Sequence, residues 1–123
     1  MRTILRILIL LSVLSVQSVP QIVCDATEWD FGKISGSSTL FHTFKLTNTS
    51  DSDFHIAGLS VSCSCVSAYT GRFDIKAGET IDMEVSLRPG ATPGRAEHYV
   101  VLYGQDEKKV QRFTLKFEQT TKQ

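Results

Sequence analysis

The segment "TIDMEVSLR", Thr80 to Arg88, decides the fold. Ile81, Met83, Val85 and Leu87 are apolar, and Asp82, Glu84 and Ser86 stand between them. Strict alternation at period two is the pattern of a β-strand with one face in a core and one in water. Working outward, the same pattern recurs. "TLFHTFKLTN" puts Leu40, His42, Phe44 and Leu46 inward and Thr43, Lys45 and Thr47 outward. "RFTLKFE" puts Phe113, Leu115 and Phe117 inward, and "AEHYVVLYG" ends apolar on both faces, as a central strand does. "TEWDF" sets Trp29 and Phe31 on one face. In "DFHIAGLSVSCSC", Phe54 and Ile56 share a face; a slip at Ala57-Gly58 predicts a bulge, after which Leu59, Val61, Cys63 and Cys65 point inward.

Between these runs lie "GKISGSS", "NTSDSD", "IKAGET", "RPGATPGR" and "GQDEKK". Gly admits positive φ and Pro fixes φ, so each cluster can reverse the chain. No stretch after Cys24 holds helical periodicity for three turns. Short strands at this spacing, about seven in roughly 100 residues, predict an all-β, immunoglobulin-like antiparallel β-sandwich. Alternation does not give the strand order.

The first residues read differently. "MRTILRILILLSVLSVQS" has Arg2 and Arg6, then a largely apolar run from Ile7 to Val16, then Ser18. That is the pattern of a secretory signal peptide over residues 1–18, cleaved after Ser18. The run is short for a membrane span, which needs roughly 20 apolar residues. The sandwich domain is expected over 19–118 and a frayed polar tail over 119–123. Loss of Arg2 and Arg6 lowers the 13 basic side chains to 11 against 13 acidic ones, a formal charge of −2. Such a balance gives no electrostatic case for nucleic acid or an anionic membrane surface.

Export, to the periplasm or the cell exterior, would place Cys24, Cys63 and Cys65 where disulfides persist. An odd number leaves one thiol over, and the pairing is open. "QIVC" is a poor lipidation signal at Cys24, so contact with a membrane is expected only if that cysteine is acylated. In an extended strand Cys63 and Cys65 would be two rises of about 3.3 Å apart, too far for a bond between them. A Cys63–Cys65 bridge therefore requires a turn, which Ser64 at its middle does not ease as Gly would.

Two small apolar side chains at a strand end are the bland reading of the pair. The sharper one is a thiol-redox or Cu/Zn site. His42, on the inward face, is the histidine expected to approach Cys63 and Cys65; His55 alternates outward and His98 lies in a separate strand. No nucleophile elbow, phosphate loop or His-Glu-x-x-His motif is present, so no enzyme and no cofactor is expected. "NTS" at Asn48 is a glycosylation sequon whose simpler meaning is a strand-ending turn.

"WDFGKISG", "HTFKLTNTSDSDFHI", "VSCSCV" and "IKAGET" occur in that order between Glu28 and Gly104. Together they resemble the family called domain of unknown function 1573. Ser64 stands where that family has Gly, Val66 where it has Thr, and "KAGE" where it has a Pro-Gly-Glu-like turn. The resemblance implies an immunoglobulin-like sandwich related to sperm-protein and PapD-like domains, in exported bacterial proteins. The expected role is an exported, non-catalytic binding or assembly module at the cell envelope, with an unknown protein partner. The alternative is a periplasmic thiol-redox or metal-binding protein using the Cys-x-Cys pair.

Overall fold

The computed structural model describes residues 21–105 and 107–120. The segment read as a signal peptide and residues 121–123 lie outside the described residues. Among the described residues ten strands follow one another: β1 (Ile22–Cys24), β2 (Glu28–Ile34), β3 (Leu40–Asn48), β4 (Phe54–His55), β5 (Gly58–Val61), β6 (Val66–Tyr69), β7 (Asp74–Ile75), β8 (Thr80–Leu87), β9 (Gly94–Tyr103) and β10 (Lys109–Gln119). Two four-stranded sheets face each other, in orders β1-β3-β8-β6 and β2-β10-β9-β5, and β4-β7 forms a small third ladder. No helix among the described residues is long and apolar enough to cross a membrane.

The alternation read in the sequence sets which faces meet. Phe44 pairs across the ladder with Met83 and Leu46 with Ile81, so the apolar faces of β3 and β8 coincide. In the second sheet Phe113 pairs with Val100 and Leu115 with His98. All the apolar members of these pairs are buried, and the rings of Phe44 and Phe113 meet across the sandwich at 4.9 Å between centroids. Each such side chain contributes about 1.5 to 3 kcal/mol on full burial. The outward face of β3 and β8 carries the exposed Lys45–Asp82 ion pair. Water and salt screen an exposed pair of this kind, so it carries little of the stability.

Several expectations are corrected. One pairing is parallel: β2 runs alongside β10. The ladder breaks register between Lys116 and Glu118, opposite "WDFGK". There Gly32 takes φ +76° and its N–H donates to Asp30 Oδ1 at 2.8 Å. Trp29, in regular register before the break, is 41% exposed. Ala57-Gly58 is not a bulge within one strand. It is the passage from β4, in the small ladder, to β5, in the second sheet. Val61, expected inward, is 40% exposed because β5 is an edge strand ending there. Gln119 is not frayed: it ends β10, is buried, and its Nε2 donates to the carbonyls of Gly36 and Gly90.

Cys24 lies in β1 opposite Leu46, unbridged and half-buried against the core. Burial, then the charge of Asp25, raises its pKa from the ordinary 9.0 to about 11. The folded state thus holds the proton more tightly than the unfolded chain. This contribution is complete below pH 9 and is lost as pH rises through about 11. At pH 8 Cys24 is expected to resist iodoacetamide in the native protein and to react promptly in denaturant, as mass spectrometry would show. Equal rates in both states would contradict its placement.

Candidate functional site

The turn from Ser62 to Cys65 carries the chain from the edge of the second sheet to the edge of the first. It is anchored on both sides. Ser62 N–H donates to the Tyr99 carbonyl at 3.0 Å, and Tyr99 N–H donates to Ser62 Oγ at 2.8 Å. Within the turn, Val66 N–H donates to the Cys63 carbonyl at 3.2 Å and Cys65 N–H points at Cys63 Sγ at 3.0 Å. On the far side Arg88 holds it twice: its backbone N–H donates to the Cys65 carbonyl at 2.9 Å, and Nη2 to the Ser64 carbonyl at 3.1 Å.

This turn shortens the Cα separation of Cys63 and Cys65 to 5.2 Å, and the two sulfurs are joined in a disulfide. Cys24 takes no part. Ser64 is no obstacle, because among the described residues Glu107 is the one non-glycine residue with positive φ. The turn is made from ordinary backbone conformations that any L-residue adopts.

The histidine beside the pair is His98, not His42. His98 Nε2 is 3.9 Å from Cys65 Sγ, and the donor atoms of Cys63, Cys65 and His98 all lie within 4.8 Å of one another. The His98 ring lies nearly parallel to Phe117, with centroids 6.2 Å apart. A cleft of about 400 Å³ opens beside the group, with Arg88, Arg95, His98 and Phe117 among its walls. His42 is occupied elsewhere: Trp29 stacks on it at 4.0 Å and Phe44 meets it edge-on at 4.6 Å. Burial lowers its pKa, against a smaller opposing effect of Asp25, so it serves as a half-buried aromatic at the core's edge. His55 Nδ1 binds Asp74 Oδ1 at 2.7 Å on the surface. The signal that could have found His98 was its phase: Ala96, His98, Val100 and Leu102 alternate inward along β9.

The edges of the two sheets flank this turn. Since Arg88 N–H bonds the Cys65 carbonyl, hydrogen-bonded pairs alternate from there along β6, at Ser67–Ser86 and Tyr69–Glu84. The backbone groups of Ala68 therefore face away from the sheet. β6 ("VSAY") and β5 ("GLSV") hold neither charge nor proline, the residues that commonly block strand addition at an edge. On the outward face beside β6, Tyr69 is 66% exposed and Phe41 75% exposed, and both line one hollow with Ser67, Glu84 and Ser86.

Two facing, mainly antiparallel sheets of this kind define an immunoglobulin-like β-sandwich. The chain belongs to the family described as "Protein of unknown function (DUF1573)", whose model matches residues 22–119, further at both ends than the quoted motifs reach. A search of curated protein sequences finds no match. Among solved structures, a protein of unknown function from Porphyromonas gingivalis W83 superposes with a TM-score of 0.68 at 14% identity, over 87% of this chain and 50% of that one. This chain thus spans about half the length of that protein. The human CEP192 PapD-like domain 7 gives 0.58 at 12% identity, over 90% and 94% of the two chains. WR4, an MSP family member of C. elegans, gives 0.55 at 12% identity, over 83% and 100%. At these identities the likeness concerns the fold.

Proposed function

We propose that the protein is an exported, non-catalytic module that binds a partner protein at the cell envelope by accepting an extended segment along the edge of β6. The observation that carries this reading is the outward-facing backbone of Ala68 on an edge without charge or proline. A strand added there would bond to these groups, and the side chains on its outward face would meet Tyr69, from which the hollow runs across β8 to Phe41 on β3. Main-chain bonds supply affinity in this mode, and the aromatic hollow supplies selectivity. The leader-like residues 1–18 support export.

A photoreactive residue at Tyr69, in cells that export the protein, should give an adduct of defined mass. The same probe at Glu97, on the outward face of the second sheet, should not. Ala68→Pro removes an outward N–H and spares the ladder to β8, so it should suppress the Tyr69 adduct without unfolding the domain. Equal adducts from both positions, or an adduct indifferent to Ala68→Pro, would refute the reading.

A further inference from the structure

We propose that Cys63, Cys65 and His98, once the cysteine pair is reduced, form a three-donor site for a soft closed-shell cation, copper(I) or zinc(II), and that the Cys63–Cys65 disulfide is the metal-free form of that site. The inference is independent of strand addition at β6.

The donor geometry is close to what such an ion needs. Metal–sulfur bonds are about 2.3 Å and metal–nitrogen bonds about 2.0 Å, so a tetrahedral site spaces sulfur from nitrogen by roughly 3.5 Å and sulfur from sulfur by roughly 3.7 Å. His98 Nε2 and Cys65 Sγ already stand 3.9 Å apart. The cysteine Cα atoms at 5.2 Å let two freed sulfurs part to the required spacing by side-chain rotation alone. Two thiolates and one imidazole select soft or borderline ions. No carboxylate belongs to the group, so a site for magnesium or calcium is not implied.

The elements that carry the donors are fixed to one another. β9 delivers His98 and is bonded to the start of the cysteine turn through Tyr99 and Ser62. Arg88 fixes the end of the turn, and the Phe117 ring lies alongside that of His98. Arg88 and Arg95 line the adjoining cleft, Arg88 bonded to the Ser64 carbonyl and Arg95 paired with Asp30 at 3.8 Å. Three protein ligands beside an open cleft leave a fourth position for water or a donor from another molecule, the arrangement of an exchangeable rather than a closed structural site.

The two forms interconvert by thiol–disulfide exchange with an external dithiol. A thiolate of that dithiol attacks one sulfur of the Cys63–Cys65 bond, which breaks to give a mixed disulfide and one free thiol. The dithiol's second sulfur resolves the mixed disulfide. Two electrons and two protons pass to Cys63 and Cys65, and the reductant leaves as a disulfide. Binding of the cation then displaces two protons, one from each thiol.

The test uses the full chain carrying Cys24→Ser, either oxidised or reduced with dithiothreitol and desalted without oxygen. Zinc(II) and copper(I) are titrated separately against chromogenic chelators. Reduced protein should take up one equivalent of at least one of the two ions, and oxidised protein none; the arm that responds names the ion. Cobalt(II) should give a thiolate charge-transfer band in the reduced form alone. Groups that only hydrogen-bond to a metal's ligands are by themselves worth about 10–100-fold in affinity. His98→Ala should therefore weaken binding about tenfold or more, while His42→Ala and Ala68→Pro leave it unchanged. Circular dichroism of each variant confirms that the fold is kept. Uptake of neither ion, equal uptake by oxidised protein, or a folded His98→Ala variant with wild-type affinity would overturn the proposal.

Discussion

Met83→Asp is expected to unfold the domain, while Glu84→Ala leaves its urea midpoint close to wild type. The two residues are neighbours on β8, yet their surroundings are opposite. Met83 has no exposed surface, lies between buried Ile81 and Val85 on its own strand, and pairs across the ladder with Phe44. β8 is itself interior to its sheet, held between β3 and β6. A carboxylate placed there costs several kcal/mol whether it stays charged or takes up a proton. The whole domain has about 5 to 15 kcal/mol of stability to lose. Glu84 points into solvent between Thr43 and Tyr69. Loss of such a side chain normally changes stability by under about 0.5 kcal/mol. Met83→Leu keeps the volume and should cost under about 1.5 kcal/mol, which separates the effect of charge from that of packing. Equal midpoints for Met83→Asp and Glu84→Ala would mean that the faces of β8 are misassigned.

That contrast also marks where the sequence was readable. β3, β8 and β10 are long, each has one face against the core, and period two survives along their whole length. Alternation therefore placed Phe44, Met83 and Phe113 correctly. It failed where a strand stops. Val61 continued the pattern in sequence, but β5 is an edge whose last residue has lost cover on one side. The following residues had already left the strand, and this is what lets Cys63 and Cys65 pair. Alternation also reports a face and not a neighbour. His42 and His98 both point inward; only the pairing of β5 with β9 brings His98 beside the cysteine turn. The parallel partnership of β2 with β10 has the same origin. Which strand lies beside which is decided by the packing of the two sheets, and no local pattern encodes it.

Asn48→Ala is expected to cost about 2 to 4 kcal/mol: about 1 to 3 kcal/mol for the buried Ile75 carbonyl left without this donor, and about 1 kcal/mol for the lost bonds to Ser50 and Ser52. Asn48 ends β3 with no exposed surface. Its Nδ2 donates to the carbonyls of Ser52 and Ile75, both at 2.8 Å. Its Oδ1 accepts from the backbone N–H of Ser50 at 3.1 Å and from Ser50 Oγ at 2.8 Å. One side chain thus shapes the loop after β3 and ties it to the end of β7. Its backbone adds bonds to Glu79 and Gly78 that the substitution does not touch. Alanine strips the Ile75 carbonyl of this donor inside the protein. For a domain of this size the loss should lower the melting temperature by roughly 10 to 25 °C. Ser50→Ala removes one bond at the loop's margin and should cost about 1 kcal/mol or less. The same geometry decides the sequon "NTS". Both donor positions of Nδ2 are committed within the fold, so a glycan on Asn48 would need the loop to open. This supports the reading of the motif as a strand-ending turn. A melting temperature for Asn48→Ala no lower than that of Ser50→Ala would show that Asn48 does not hold the loop to β7.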